Sequence, residues 1–221
     1  MKYYLSLLVV ALFSIHSYAQ TRAVTELGDT IYVYNNGTWS YEMLEESPEF
    51  DEFSFLKESI PLDTIPTKFS YSKDAKKQVE NSFGLFKIKY DDTKWKRVPP
   101  ASLNDEAEFA FEFKDSDVWC IVISEETAIN SDALFSIARE SIRENLGAIP
   151  EVIKAESRNV NGYDIVRGVM KAELSGLTFV FDTYYFSNEK GSVQFSTWTG
   201  EAIWKREEEK ILDFLNGFIA N

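Results

Sequence analysis

The chain has 221 residues, with one histidine, one cysteine and a formal net charge of −13 at pH 7. Thirty-six acids against 23 bases leave no concentrated basic surface, so nucleic acid is excluded as a partner. One cysteine cannot form an internal disulfide, and a lone histidine in the first 20 residues leaves the rest without a histidine base or a His/Cys zinc set.

Met1 to Ala19 reads as a signal peptide. Lys2 supplies the positive start, Leu5 to Ile15 an apolar run broken by Ser6 and Ser14, and Ser17-Tyr18-Ala19 the small residues of a cleavage site. The run is shorter than the roughly 20 apolar residues that span a bilayer. Gln20 follows rather than a cysteine, which argues against a lipid anchor. The expectation is a periplasmic or secreted bacterial protein with no membrane span in the mature chain. Removing the leader takes away His16 and one base, Lys2, so the remainder is more acidic still.

Residues 20–41 predict a β-hairpin extension. Thr30 to Tyr34 alternates, Asn35-Asn36-Gly37 is a strong turn signal, and Thr38 to Tyr41 returns. An isolated hairpin is marginally stable in water. Tyr32, Tyr34, Trp39 and Tyr41 therefore either complete the main core or form a partner-binding edge, and a protein partner is the expectation they raise. Asn36-Gly37-Thr38 is also a glycosylation sequon, meaningful only in a eukaryotic secretory route.

Residues 42–82 read as an acidic, then basic, loosely packed linker. Glu42 to Pro66 holds eight acids against Lys57, with Pro48, Pro61 and Pro66; Phe50, Phe53, Phe55 and Leu56 are candidates to pin it. Lys68 to Arg97 has nine bases against four acids, with a short polar helix expected over Ser72 to Ser82. These bases are spread out and lack an anion-binding motif, so they read as partners for nearby acids.

Residues 83–221 form the main domain. Phe86, Ile88 and Tyr90 alternate with lysines in a first strand, Trp95 follows the Asp91-Asp92 turn, and Phe109, Phe111 and Phe113 mark a second strand. Val118 to Ile123 is nearly all apolar, as in a strand covered on both faces. A helix capped by Ser131 runs to Leu146, closed by Gly147. Strands follow over Lys154–Val160, Tyr163–Glu173, Leu177–Ser187 and Ser192–Thr199, joined by short turns that dictate an antiparallel meander. A helix with an apolar stripe closes the pattern from about Glu201 to Phe218. The class is α+β, an antiparallel β-sheet flanked by helices, with the N-terminal hairpin as an extension.

This order resembles the PsbP-like fold, which includes the extrinsic protein of photosystem II, a Ran-binding nuclear transport factor and many exported bacterial proteins. The resemblance spans about residues 84–221. It rests on Tyr90-Asp91-Asp92 with Trp95, the Ser131 to Leu146 helix, Thr178 to Phe186, Glu189-Lys190-Gly191, Gln194 to Thr199 and the closing helix. It implies an α/β sandwich and an accessory role, and brings no ligand or catalytic residues. Gly28 to Tyr41 is similar to a hairpin common in exported proteins of Bacteroidetes-type bacteria.

No phosphate loop and no dinucleotide turn occur. Carboxylates are the one catalytic class left, with Asp91, Asp92, Asp115, Asp117 and Asp182 as candidates. Strand alternation places Asp182 on the outward face, Asp115 and Asp117 suit a turn, and Cys120 reads as a buried inert thiol. No catalytic, cofactor or metal site is assigned. The expected function is an exported, non-enzymatic accessory or binding protein. The alternatives are a carboxylate-dependent glycan hydrolase and an acidic inhibitor or immunity-type protein.

Overall fold

The structure is a computed structural model that describes residues 21–24, 30–33, 39–41, 60–147 and 149–221. The leader, Tyr34, the Asn35-Asn36-Gly37 turn and the acidic stretch before Ile60 lie outside the described residues. The chain divides into two units, residues 1–52 and 53–221.

In the first unit, β1 (Thr21–Val24), β2 (Thr30–Val33) and β3 (Trp39–Ser40) form an antiparallel sheet in the order β1-β2-β3. Tyr32 lies opposite Ser40, and Val33 opposite Trp39. The expected two-strand hairpin therefore gains a third strand, β1, paired from Thr21↔Val33 to Val24↔Thr30.

The second unit opens with β4 (Asp63–Phe69), β5 (Lys77–Glu80), β6 (Phe86–Tyr90) and β7 (Trp95–Val98). It continues with β8 (Phe109–Phe113), β9 (Trp119–Glu125) and helix α1 (Ser131–Leu146). Strands β10 (Glu151–Val160), β11 (Tyr163–Leu174), β12 (Leu177–Asn188) and β13 (Gly191–Gly200) follow, then helix α2 (Glu201–Leu215) and β14 (Phe218–Ala220). Eight strands form one sheet in the order β4-β10-β11-β12-β13-β9-β8-β7, and three form a second, β14-β6-β5. The β10 to β13 meander is antiparallel throughout. Its tight turns use Asn161-Gly162 and Ser175-Gly176, with φ of 52° and 92°, and 54° and 79°. Positive φ at both central residues matches the right-handed twist of the flanking strands.

Four local expectations are corrected. Residues 63–69 are not linker but an edge strand, parallel to β10. Pro66 is tolerated because it falls where the β4/β10 register slips, between Arg158↔Ile65 and Asn159↔Lys68, and because an edge strand does not need every N–H. Lys77–Glu80 is a strand where a polar helix was expected, with Val79 buried between exposed neighbours. The cap of α1 is Asn130, whose side chain accepts from the Asp132 N–H at 2.8 Å, rather than Ser131. Helix α2 stops at Leu215, and Phe218 enters a strand against β6.

The two helices take opposite faces of the large sheet. Helix α1 packs on β11 and β12: Phe135 stacks on Tyr185 at 5.3 Å, in a cluster with Leu134, Val166 and Met170. Helix α2 and the small sheet cover the other face, where Phe214 stacks on Trp95 at 3.9 Å and meets Phe111 and Phe195 edge-on. This second layer holds the larger core, including Phe86, Ile88, Cys120, Tyr184 and Phe218.

Candidate functional site

The five nominated aspartates do not converge. Asp91 and Asp92 sit in the β6–β7 turn. Asp91 accepts from the Thr93 N–H and hydroxyl at 2.9 and 2.6 Å and pairs with Lys94 at 3.5 Å, and Asp92 pairs with Lys77 at 3.9 Å. Asp115 and Asp117 are exposed in the β8–β9 turn. Asp182 is not the outward residue that strand alternation suggested: its exposure is 0%. The face it shares with Val180 and Tyr184 is the one under α2.

Asp182 is held there by Arg167, which is 2% exposed. The guanidinium donates to both carboxylate oxygens, Nε to Oδ1 at 2.9 Å and Nη2 to Oδ2 at 2.6 Å, and the Trp204 indole N–H adds a third bond at 3.1 Å. Arg167 also reaches Glu156 at 3.2 Å and Glu208 at 3.1 Å. Lys154 pairs with Glu208, while Arg158 lies 3.6 Å from Glu156 and donates to the Tyr184 hydroxyl at 2.8 Å. Three acids and three bases thus pair with one another between the sheet and α2, with the buried Arg158 Nε left without a hydrogen bond. Burial works against the Arg167 charge, but Asp182, Glu156 and Glu208 outweigh it and hold its proton more tightly than usual. The network is a structural clamp with its hydrogen-bonding capacity largely spent.

Glu208 exposes this clamp to pH. Burial pushes its carboxyl up, but the hydrogen bonds from Lys154 and Arg167 win and hold it below the ordinary value of 4.5. Its contribution is complete above that value and is lost as pH falls through the lower folded-state value. Urea midpoints measured from about pH 6 down to pH 3 should therefore fall less steeply in Glu208→Gln than in the wild type.

The basic segment is likewise engaged by neighbours. Lys87 pairs with Glu80 at 3.5 Å, Lys94 with Asp213 at 3.8 Å and Lys96 with Glu112 at 3.9 Å, while Lys89 lies 4.1 Å over the Tyr71 ring. Cys120 is fully buried, and burial pushes its thiol well up. Among the described residues no three metal-ligating side chains converge, and no helix is long and apolar enough to cross a membrane.

Of the four hairpin aromatics, Tyr32 is half-buried and Tyr41 is 60% exposed. Trp39 lies in β3, and Tyr34 is outside the described residues.

The open feature of the second unit lies elsewhere, where β12 begins, β13 ends and α2 starts. A groove of about 440 Å³ is lined there by Trp119, Leu177, Phe179 and Ile203, with Asp117 and Glu201 among its walls. The register explains it. Leu174↔Leu177, Phe179↔Gly200, Phe181↔Trp198 and Trp198↔Trp119 are cross-strand pairs on the α1 side of the sheet. Helix α1 covers this face around Val166, Gly168, Met170 and Tyr185; a Cβ at Gly168 would come within 2.4 Å of the Phe135 ring. Beyond that, Trp119 and Trp198 stack at 6.2 Å and remain half-buried, and Leu174 and Leu177 are 45% and 63% exposed. Glu201 is kept below its usual pKa by Lys205, which donates to it at 2.8 Å. Sequence reasoning missed this groove. The signal was present in the two exposed leucines flanking Ser175-Gly176 and in tryptophans on paired strands, but it needs the strand order β12-β13-β9 to be seen.

No family model and no curated protein sequence matches the chain. Solved structures do. The chain is similar to the solution structure of cyanobacterial PsbP (CyanoP) from Synechocystis sp. PCC 6803, with a TM-score of 0.52 and 13% identity over 68% of this chain and 95% of that one. A crystal structure from Bacteroides thetaiotaomicron aligns with a TM-score of 0.42 and 11% identity, over 66% of this chain and 49% of that one. LpqN of Mycobacterium tuberculosis, described as involved in cell envelope biogenesis, aligns with a TM-score of 0.39 and 11% identity, over 64% and 85%. With the strand order and the two helices set out above, the likeness to CyanoP gives this chain the PsbP-like fold.

Proposed function

We propose that this is an exported, non-enzymatic binding protein that holds its partner on the open aromatic end of the large sheet. The observation that carries the reading is the groove of Trp119, Leu177, Phe179 and Ile203: large apolar side chains left open beside a fully packed core. The leader-like first residues are the support for export. The glycan hydrolase alternative needs two facing carboxyls, one with a raised pKa. Asp182 is spent on Arg167, and Glu201, the helix carboxyl lining the groove, is held low rather than raised.

Leu177→Ser tests the reading. Leu177 is exposed, so the variant should keep its thermal midpoint, yet a partner recovered from native envelope extract by the wild type should be lost. Equal recovery by both proteins overturns the assignment of the groove. Glycan turnover that stops in Asp117→Asn or Glu201→Gln would overturn the non-enzymatic part.

A further inference from the structure

We infer that the groove takes an extended polypeptide segment of a cationic partner, one in which a lysine or arginine lies between apolar side chains. This rests on the groove being the binding surface and goes on to name its occupant.

The argument begins with charge. Both charged side chains lining the groove, Asp117 and Glu201, are acidic. Glu112 is the cross-strand neighbour of Trp119 on its other side, outside the groove lining. The nearby bases are engaged: Lys96 lies 3.9 Å from Glu112, Lys205 2.8 Å from Glu201, and Lys171 2.9 Å from Glu151. Arg206 is bound to Glu207 and to the Ser116 hydroxyl, at 2.8 and 2.9 Å. Asp117 has no ion-pair partner among the described residues, so the groove presents an uncompensated carboxylate next to an exposed apolar floor.

Three other occupants fit less well. A second copy of the chain would bring the same acidic rim and a formal charge of −13 against itself. The acid-rich stretch from Glu42 to Glu58 of the same chain carries the wrong sign for the same reason. A membrane surface would bury Leu174 and Leu177, but anionic lipid would be repelled by the rim. A cation beside apolar groups satisfies both properties at once. Its charge lies against Asp117 and Glu201, its stem and neighbours cover Trp119, Phe179 and Leu177, and the tryptophan faces accept cations favourably.

Short capped peptides that alternate leucine with lysine, with glutamate or with serine are the probes, and titration calorimetry on the full chain is the readout. The lysine peptide should bind saturably and more weakly as salt is raised. Affinity should fall by about tenfold in the Asp117→Asn, Glu201→Gln double variant and beyond detection in Leu177→Ser. The inference is overturned if the serine or glutamate peptide binds as tightly, if the double variant leaves lysine-peptide affinity unchanged, or if phosphatidylcholine vesicles bind through Leu177 instead. If no peptide binds while capture of a partner still depends on Leu177, the occupant is wrong and the groove assignment stands. If capture does not depend on Leu177, the groove assignment itself has failed.

Discussion

Asp182→Asn is expected to destabilise the protein by about 3–5 kcal/mol, because it leaves the Arg167 guanidinium buried without its bidentate partner. Arg167 and Asp182 are 2% and 0% exposed, so water cannot replace the lost contact without opening the space under α2. The bond from the Trp204 indole is weakened by the same change, loosening the first turns of that helix. Arg167→Met should be similarly costly, since Asp182 would then be the orphan. The two losses should not add. Arg167→Met with Asp182→Leu leaves Glu156 with Arg158 and Glu208 with Lys154, so the double variant should be more stable than either single one. Urea unfolding of the four proteins reads this directly. Additive losses would show that the two residues are not a coupled pair.

Asn161→Asp should cost about 2 kcal/mol or more. The Asn161 amide donates to the Asn216 and Phe218 carbonyl oxygens at 2.8 and 2.6 Å, and its oxygen accepts from the Tyr71 N–H at 3.0 Å. One side chain thus ties the end of β4, the end of α2 and the start of β14 to a single turn. An aspartate keeps the turn's positive φ and the bond from Tyr71, but turns a donor into a charge facing two carbonyls. Asn161→Gly is the control, since it suits the same backbone and removes the side chain without adding charge. Thermal midpoints should rank wild type above glycine, and glycine above aspartate. Equal midpoints for the two variants would mean that repulsion is not the cause.

These two residues also show what sequence could and could not convey. Asn161-Gly162 was legible as a turn because its signal is local: two residues that tolerate positive φ between two β runs. The three contacts of the Asn161 side chain lie as far as 90 positions back and 57 positions ahead, and no local pattern reports them. Asp182 shows the opposite failure. Alternation was real, but which face is covered is a tertiary fact, and Arg167, opposite Tyr184 and reaching diagonally to Asp182, lets a charged position be buried. The meander and both helices were readable from period and turn chemistry. The small sheet was only partly so, because β5 is four residues long and β14 is three residues long, following α2 after only Asn216-Gly217. The turn after that helix passes through Gly217, where a Cβ would lie 1.9 Å from the Lys89 carbonyl oxygen, so only glycine lets the backbone turn back against β6. The groove was invisible for a different reason: its members are ordinary core-type residues that the strand order leaves uncovered.

The pairing of β6 with β14 has a consequence for how the chain matures. Residues 86–88 find their partners only at 218–220, and the Asn221 side chain donates to the Gly84 carbonyl across 137 positions. β4 likewise waits for β10. Contacts so distant close late and slowly, which leaves strand edges bare while a ribosome is still extending the polypeptide. Until those partners arrive, the bare edges are the places where the nascent chain is open to pairing with other strands.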